Sequence, residues 1–500
     1  MKKIIITLLV FIGLIGLLAV SPIIGNKIVT YYVDTEIVAL KQKGITLNFK
    51  SETPGYLYTS KQYEFILTDV EAFAAYMTEY GAGLLPPYSD ELLKSIVFRL
   101  DMTYNNIPFL EPISIDIYPM YISDSMMNKL KGSNNVFFNE FQKFITRQGL
   151  LYHIDYDLLS ENYKGEIKNI DYNERGFDGS NVILTLHDAV FNGTGSKSLE
   201  SDIQKIMLKT SDASKDMTLE INKLSTTSTK TVSDTAKTIY EKSKDIYDKS
   251  VDTYNDSQVK DHVEVIKEKT EDAAREMYNT SVKMQSMFFN TRDKDTEEET
   301  TIDAKGVDIN TSSQESEDKA KKKSYFFFES LNLKTNDYDI KMSKAKYETA
   351  MSGVDIASFK KLQSLVVQAQ NSSSLDDLND IKISAINLLS NGMKVEIPDL
   401  SVENVEYKGE NLGGFKLISA LNVKEDKNLA AKMLFSPLFI VQNIDFKVHL
   451  EVSKKIYNKF VEEVPLALLA MAGTKQTATD LVYDFSYING QLKVNGNIVL

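Results

Sequence analysis

Apolar and polar side chains alternate with period two along much of this chain. The clearest run sets Ile96, Phe98, Leu100, Met102 and Tyr104 against Val97, Arg99, Asp101 and Thr103. Similar runs cover Ile113–Ile117, Tyr152–Leu158, Val182–Leu186, Tyr338–Met342, Phe415–Val423, Ile444–Val452 and Leu481–Tyr487. Such alternation lays one face of a strand on a core and leaves the other in water, as in antiparallel sheets. Ile488-Asn489-Gly490 lies between two alternating runs, Leu481–Tyr487 and Gln491–Val494. It predicts a hairpin, because Asn and Gly both accept positive φ.

Helical spacing falls between the strands. Asp124–Gln148 carries Met127, Leu130, Phe137, Phe141, Phe144 and Ile145, with a break near Gly132. Ser453–Met471 carries Ile456, Tyr457, Phe460, Val461 and Val464, and Pro465 is expected to kink or end it. A third helix is expected over Ile356–Ala369. The strand–helix–strand order around the first two is either an internal duplication or a recurrence that packing alone produces.

The N-terminus breaks the pattern. Lys2 and Lys3 precede an uncharged, mostly apolar run from Ile4 to Gly25, followed by Asn26 and Lys27. At about 1.5 Å per residue a helix of that length spans the roughly 30 Å of bilayer hydrocarbon. A cleaved signal ending at Ala19-Val20-Ser21 is the rival reading. Pro22 at the first mature position and the length of the run favour a retained anchor, continued as helix to Leu40. Lys2 and Lys3 then favour a cytoplasmic N-terminus. The expected location is a bacterial inner membrane, single-pass, with the bulk of the chain periplasmic. A reversed anchor and a cytoplasmic body form the alternative. Val464–Gly473 is too short to span.

The centre differs in kind. From Ser196 to Lys323 Lys, Asp, Glu, Ser and Thr dominate. Ile239-Tyr240 and Ile246-Tyr247 repeat at seven residues, and Thr253-Tyr254 echoes them, which gives a narrow apolar stripe on a long solvated helix. Thr291–Lys323 reads as a disordered linker.

Together these elements predict an α+β fold that is mainly antiparallel β. It would comprise an N-terminal transmembrane helix, extended curved or layered sheets with interspersed helices, and a central charged helical insert. The divisions are 1–27 (anchor), 28–195 (β-rich N-terminal exported region), 196–323 (helical or disordered insert) and 324–500 (β-rich C-terminal exported region).

Composition mostly removes chemistry. The 500 residues carry 57 basic and 70 acidic side chains, a net charge of −13, which argues against a nucleic-acid partner. There is no cysteine, so disulfides, thiolate metal sites and cysteine nucleophiles are excluded. The four histidines, His153, His187, His262 and His449, lie far apart in sequence.

No local motif supplies an active site. Asp293-Lys-Asp295-Thr-Glu297-Glu-Glu299 resembles a calcium loop, but Glu298 stands where glycine is needed and Ala304 where glutamate is. His187 and Asp188 are adjacent on a strand, point to opposite faces and cannot pair as a triad requires. His449 falls on a polar face. Gly193-Thr-Gly195 lacks a phosphate-loop context, and Gly413-Gly414 reads as a turn. Asp308-Ile-Asn310-Thr-Ser312 resembles a periplasmic N-glycosylation acceptor, in a tract where chance produces the same pattern. No catalytic, cofactor-binding or metal residue is assigned, and no cofactor is expected.

Both ends of the chain resemble the YdgA-like family of bacterial inner-membrane-associated proteins. The residues are Gly25-Asn-Lys-Ile28, Tyr56-Leu-Tyr-Thr-Ser60, Asn443-Ile-Asp-Phe-Lys-Val-His-Leu450 and Phe485-Ser-Tyr-Ile-Asn-Gly-Gln-Leu-Lys-Val-Asn-Gly496. The segment from Ser196 to Lys323 departs from the family pattern. The resemblance implies an anchored, β-rich envelope protein and carries over no catalytic residue.

The expected function is non-enzymatic: a membrane-anchored envelope protein that binds or handles lipid through an apolar sheet face. The alternative is a structural or assembly scaffold using the helical insert as a partner arm. An envelope hydrolase is the least favoured. Expected partners are the inner membrane, phospholipid, and a second copy or another envelope protein.

Overall fold

The computed structural model describes residues 26–35, 37–73, 96–107, 111–122, 149–175, 179–195, 197–232, 276–315, 319–371, 375–436, 439–460 and 475–498. They are dominated by antiparallel strands in two compact units. One comprises residues 1–228 and 288–298, the other 229–287 and 299–500.

In the first unit, β1 (Ile45–Pro54), β2 (Tyr58–Leu67), β3 (Ile96–Asn105), β4 (Ile113–Ile122), β5 (Tyr152–Tyr156) and β6 (Asn162–Ile167) pair in sequence order. β6 and β7 (Ile170–Arg175) then share one long partner, β8 (Asn181–Thr194), which continues to β9 (Ser198–Ser211). Asp188, at φ 51°, marks the point where β8 passes from one partner to the other. Its N–H donates to Asn169 Oδ1 at 2.9 Å.

The chain enters this unit as a helix over residues 26–35 and 37–42. Val29 and Val33, one helical turn apart, bury themselves on Tyr63, Leu100, Met102, Tyr104 and Ile113. These are alternate residues of β2 to β4, so the period-four stripe of the helix meets the period-two face of the sheet. Tyr104 also ties the helix by hydrogen bond, its hydroxyl donating to Asn26 Oδ1 at 2.9 Å.

β10 (Lys215–Val232) and β11 (Glu276–Asp293) contribute residues to both units. The second unit holds β12 (Glu299–Glu315), β13 (Lys319–Lys334), β14 (Asp339–Asp355), β15 (Met393–Tyr407), β16 (Glu410–Val423) and β17 (Ile444–Ser453). Each pairs antiparallel with the next. β19 (Asp480–Ile488) pairs with β17, with the short β18 (Lys475–Gln476) and with β20 (Gln491–Val494), which meets β21 (Asn497–Ile498). Asn489 and Gly490, at φ 51° and 81°, close the β19–β20 hairpin that their sequence predicted.

Helices Ile356–Asn371 and Leu375–Ser390 form a packed pair between β14 and β15. The first was expected and the second was not. Helix Lys454–Phe460 follows β17 and lays Ile456 and Tyr457 over Val452, Leu481 and Tyr483.

A line of irregularities crosses the second unit. Gly306 on β12 and Lys344 on β14 adopt left-handed conformations, φ 58° and 49°. The flanking pairs place both beside Glu329 of β13. On β15 the register shifts between Val402 and Val405. Buried residues change phase at this line: Ala304 and Val307 are both buried, three apart, as are Val402 and Val405. β12 and β14 change phase here through left-handed residues in unshifted register, and β15 through one extra residue against β16, so the apolar side chains keep to one side beyond the line.

Several expectations are corrected. The α+β class with a central helical insert gives way to a nearly all-antiparallel architecture. Within 196–323 the described residues form β9 to β12 and the start of β13, and those of the linker expected at Thr291–Lys323 are the end of β11, all of β12 and the start of β13, its pairing partner. Their Ser, Thr and Lys positions alternate with enough apolar ones to fill one sheet face, which a count of charged residues conceals. No helix among the described residues is long and apolar enough to cross a membrane. The transmembrane helix and the single-pass inner-membrane placement are therefore withdrawn. The run Ile4–Gly25, the helix at Asp124–Gln148, the Ile239–Tyr254 stripe and Val464–Gly473 lie outside the described residues.

Candidate functional site

The second unit carries an apolar face whose continuity appears only when the strands are placed side by side. Ile309, Phe326, Tyr347, Leu400, Leu417, Leu450 and Tyr483 are each directly opposite the next, on β12 to β17 and β19. Directly paired residues point to the same side of a sheet. Neighbouring strands lie about 4.8 Å apart, so this row runs for about 29 Å with no polar group except the phenols of Tyr347 and Tyr483.

A second row runs on the same side: Met351, Val395, Leu421, Phe446, Tyr487 and Leu492. Between the two lie Ile397, Ser419, Val448, Phe485 and Val494. Aromatic contacts stiffen the face, with Phe326 and Tyr347 centroids 5.9 Å apart and Phe446 stacked on Tyr487 at 5.8 Å.

Cover is uneven. At one end helix Lys454–Phe460 shields Val452 and Leu481, and Tyr483 is fully buried. Burial pushes the Tyr483 phenol up to about 12. Away from the helix, Tyr347 stays 38% exposed and Leu421 36%. Open apolar area of this kind generally marks a binding surface.

The opposite side of the sheet is polar. Lys346 bridges Glu348 at 2.8 Å and Asp399 at 3.0 Å, and Lys344 reaches Glu403 at 2.7 Å. His449 lies here, as its phase predicted. Its Nδ1 is 2.7 Å from Asp484 and its Nε2 3.0 Å from Glu451. The pair borders a recess of about 550 Å³ that Ile418, Lys447 and Ile488 also line. With both ring nitrogens engaged by carboxylates, the imidazole is held as a structural cation rather than a free base.

The other described histidines also contact carboxylates, His153 through both ring nitrogens and His187 through Nε2. His153 Nδ1 faces Asp116 at 2.8 Å, directly across β4–β5, and this hydrogen bond raises its pKa. His187 contacts Asp171 at 2.7 Å and not its neighbour Asp188, as strand alternation requires. His262 lies outside the described residues. Among the described residues no group of three His, Cys, Asp or Glu could hold a metal ion.

The remaining candidates resolve as structure. Asp293 closes the β11–β12 turn by accepting from the N–H groups of Asp295 and Thr296, both at 2.9 Å. Those backbone hydrogen bonds hold its carboxyl below the usual carboxylate range. Gly413 and Gly414 are inside β16 rather than in a turn. Gly193-Thr-Gly195 lies at the end of β8 and the turn into β9. Asn310 sits within β12 opposite Tyr325, half-buried, its amide donating to Asp308 at 2.7 Å. It does not lie in a linker.

No protein-family model, curated protein or solved structure matches this chain. The likeness to the YdgA-like family therefore rests only on the segments quoted for it.

Proposed function

We propose that this protein is a non-enzymatic lipid-handling protein that holds acyl chains against the apolar face of its second unit. The carrying observation is the row from Ile309 to Tyr483, seven apolar or aromatic residues in unbroken cross-strand register. A half-bilayer acyl chain is about 15 Å long, so the row accommodates one lying across the strands. Burying such a chain yields about 0.8 kcal/mol per methylene, and the hydrogen-bonded strands hold the face in place before it binds.

The test is to purify the full chain without detergent, extract it with organic solvent and quantify phospholipid per protein. Stoichiometric lipid is the expected result. Absence of lipid, together with failure to acquire any from added vesicles, overturns the proposal.

A further inference from the structure

One part of the apolar face is not apolar. On β12, β13 and β14, Thr311, Ser324 and Thr349 are directly opposite one another, beside the pair Ser313 and Lys322. Ser324 and Thr349 stand two residues from Phe326 and Tyr347 along their strands, on the same side. Lys322 in turn is directly opposite Met351, where the second apolar row begins. Four hydroxyls and one ammonium thus form a compact polar island between the ends of two apolar rows.

The chemistry of the island is specific. Thr311, Ser313, Ser324 and Thr349 are half-buried residues, and Lys322 is exposed. None of these five groups has a hydrogen-bond or ion partner among the described residues. Elsewhere on this unit, lysines such as Lys341, Lys344 and Lys346 are each matched by a carboxylate within 3.0 Å. The adjacent Lys321 and Lys323 are exposed and alternate to the opposite side of β13. Lys322 is therefore the positive charge that this island presents on the apolar side of the sheet. Hydroxyl donors around an ammonium match the oxygens of a phosphate, whose charge-assisted hydrogen bonds are the strong kind.

We infer that the lipid is an anionic phospholipid, with its phosphate on Lys322, Thr311, Ser313, Ser324 and Thr349 and its chains along the Phe326 and Met351 rows. This rests on the proposed function and adds polarity and charge selection to it. Charge complementarity picks the occupant. A zwitterionic headgroup would bring its own cation beside Lys322, whereas an anionic one would not.

The experiment presents the full chain with vesicles of phosphatidylglycerol, of phosphatidylcholine, or of an equal mixture, reisolates the protein and quantifies each bound lipid. The wild type should take phosphatidylglycerol from the mixture with about tenfold preference, because both lipids offer the phosphate but only phosphatidylcholine sets a second cation beside Lys322. Lys322→Glu should abolish the preference while phosphatidylcholine uptake persists. The double variant Ser324→Ala, Thr349→Val, which keeps every charge and adds no bulk, should reduce it. Uptake of both lipids without preference, or a preference unchanged in both variants, overturns this inference and leaves the apolar face standing. Uptake of neither lipid overturns the proposed function itself, and this inference with it. Unchanged thermal unfolding of the variants confirms that any loss arises at the site.

Discussion

His449 on β17 and Asp484 on β19 are direct cross-strand partners, with Nδ1 2.7 Å from Oδ1. Glu451 occupies the second ring nitrogen and Lys475 the second oxygen of Asp484, at 3.3 Å. A neutral imidazole can donate from one nitrogen only, so this arrangement favours the doubly protonated ring. The Asp484 hydrogen bond, then that of Glu451, raises the His449 pKa. His449, aided by Lys475, lowers that of Asp484. A raised histidine contributes stability that is complete below its unfolded value of 6.5 and is lost as pH rises through the folded value. A lowered carboxyl contributes above its unfolded value of 3.8 and loses the contribution as pH falls through the folded one. The pair should therefore stabilise most between those two values. Urea unfolding from pH 5 to pH 9 should show the wild type losing more stability than His449→Gln, and parallel curves would refute the assignment.

Tyr483 ends the long apolar row, has no exposed surface, and packs beneath Ile456 and Tyr457. Tyr483→Ala should cost about 3–5 kcal/mol, as for other buried aromatic truncations, and Tyr483→Phe much less. The urea midpoint of each variant measures this.

Tyr347 lies mid-row but is 38% exposed. Tyr347→Glu should cost only about 1 kcal/mol of stability, the worth of its cross-strand contacts with Phe326 and Leu400. It should nevertheless cut lipid uptake several-fold, because a carboxylate would have to be desolvated beneath an acyl chain. Uptake equal to wild type in a folded Tyr347→Glu protein would place the lipid elsewhere.

Gly306 holds φ 58°, and a Cβ there would stand 2.7 Å from the Cβ of Glu329. Gly306→Val should destabilise by more than the roughly 1–2 kcal/mol that a left-handed L-residue costs, since the clash adds to it. Gly306→Asn should be milder, because Asn tolerates that conformation better. Thermal unfolding of the two variants orders them.

Strands with uninterrupted alternation, such as Ile96–Asn105 and Ile444–Ser453, were legible because one period-two window covers each. β12 was not. Ile302 and Ala304 alternate in one phase and Val307 and Ile309 in the other, so Gly306 cancels the pattern in any window spanning both. β13 opens on Lys-Ala-Lys-Lys-Lys-Ser, which reads as solvated linker until Phe326 and Phe328 are paired with Ile309 and Val307. Thr and Ser suit strands when a neighbour supplies the buried side. The site was hidden for a related reason. An apolar sheet face was expected, but its rows run across strands, and the residues that compose them are up to 174 positions apart, from Ile309 to Tyr483. Register decides them, and register depends on partners that no single segment names. The island at Lys322 is likewise assembled from three strands.

The shared break through Gly306, Lys344 and the Val402–Val405 shift has a consequence for how the sheet is assembled. A strand of a long, regular sheet can slide by two residues and still present its apolar side inward. Here a two-residue slide would carry one strand's break past its neighbours', setting a bent backbone against a straight one and burying a charged residue such as Glu329 or Lys344. The aligned breaks act as a key cut across several strands, which admits a single mutual alignment. An insertion or deletion in any one of these strands would have to be matched in the others, so their lengths are expected to change together or not at all.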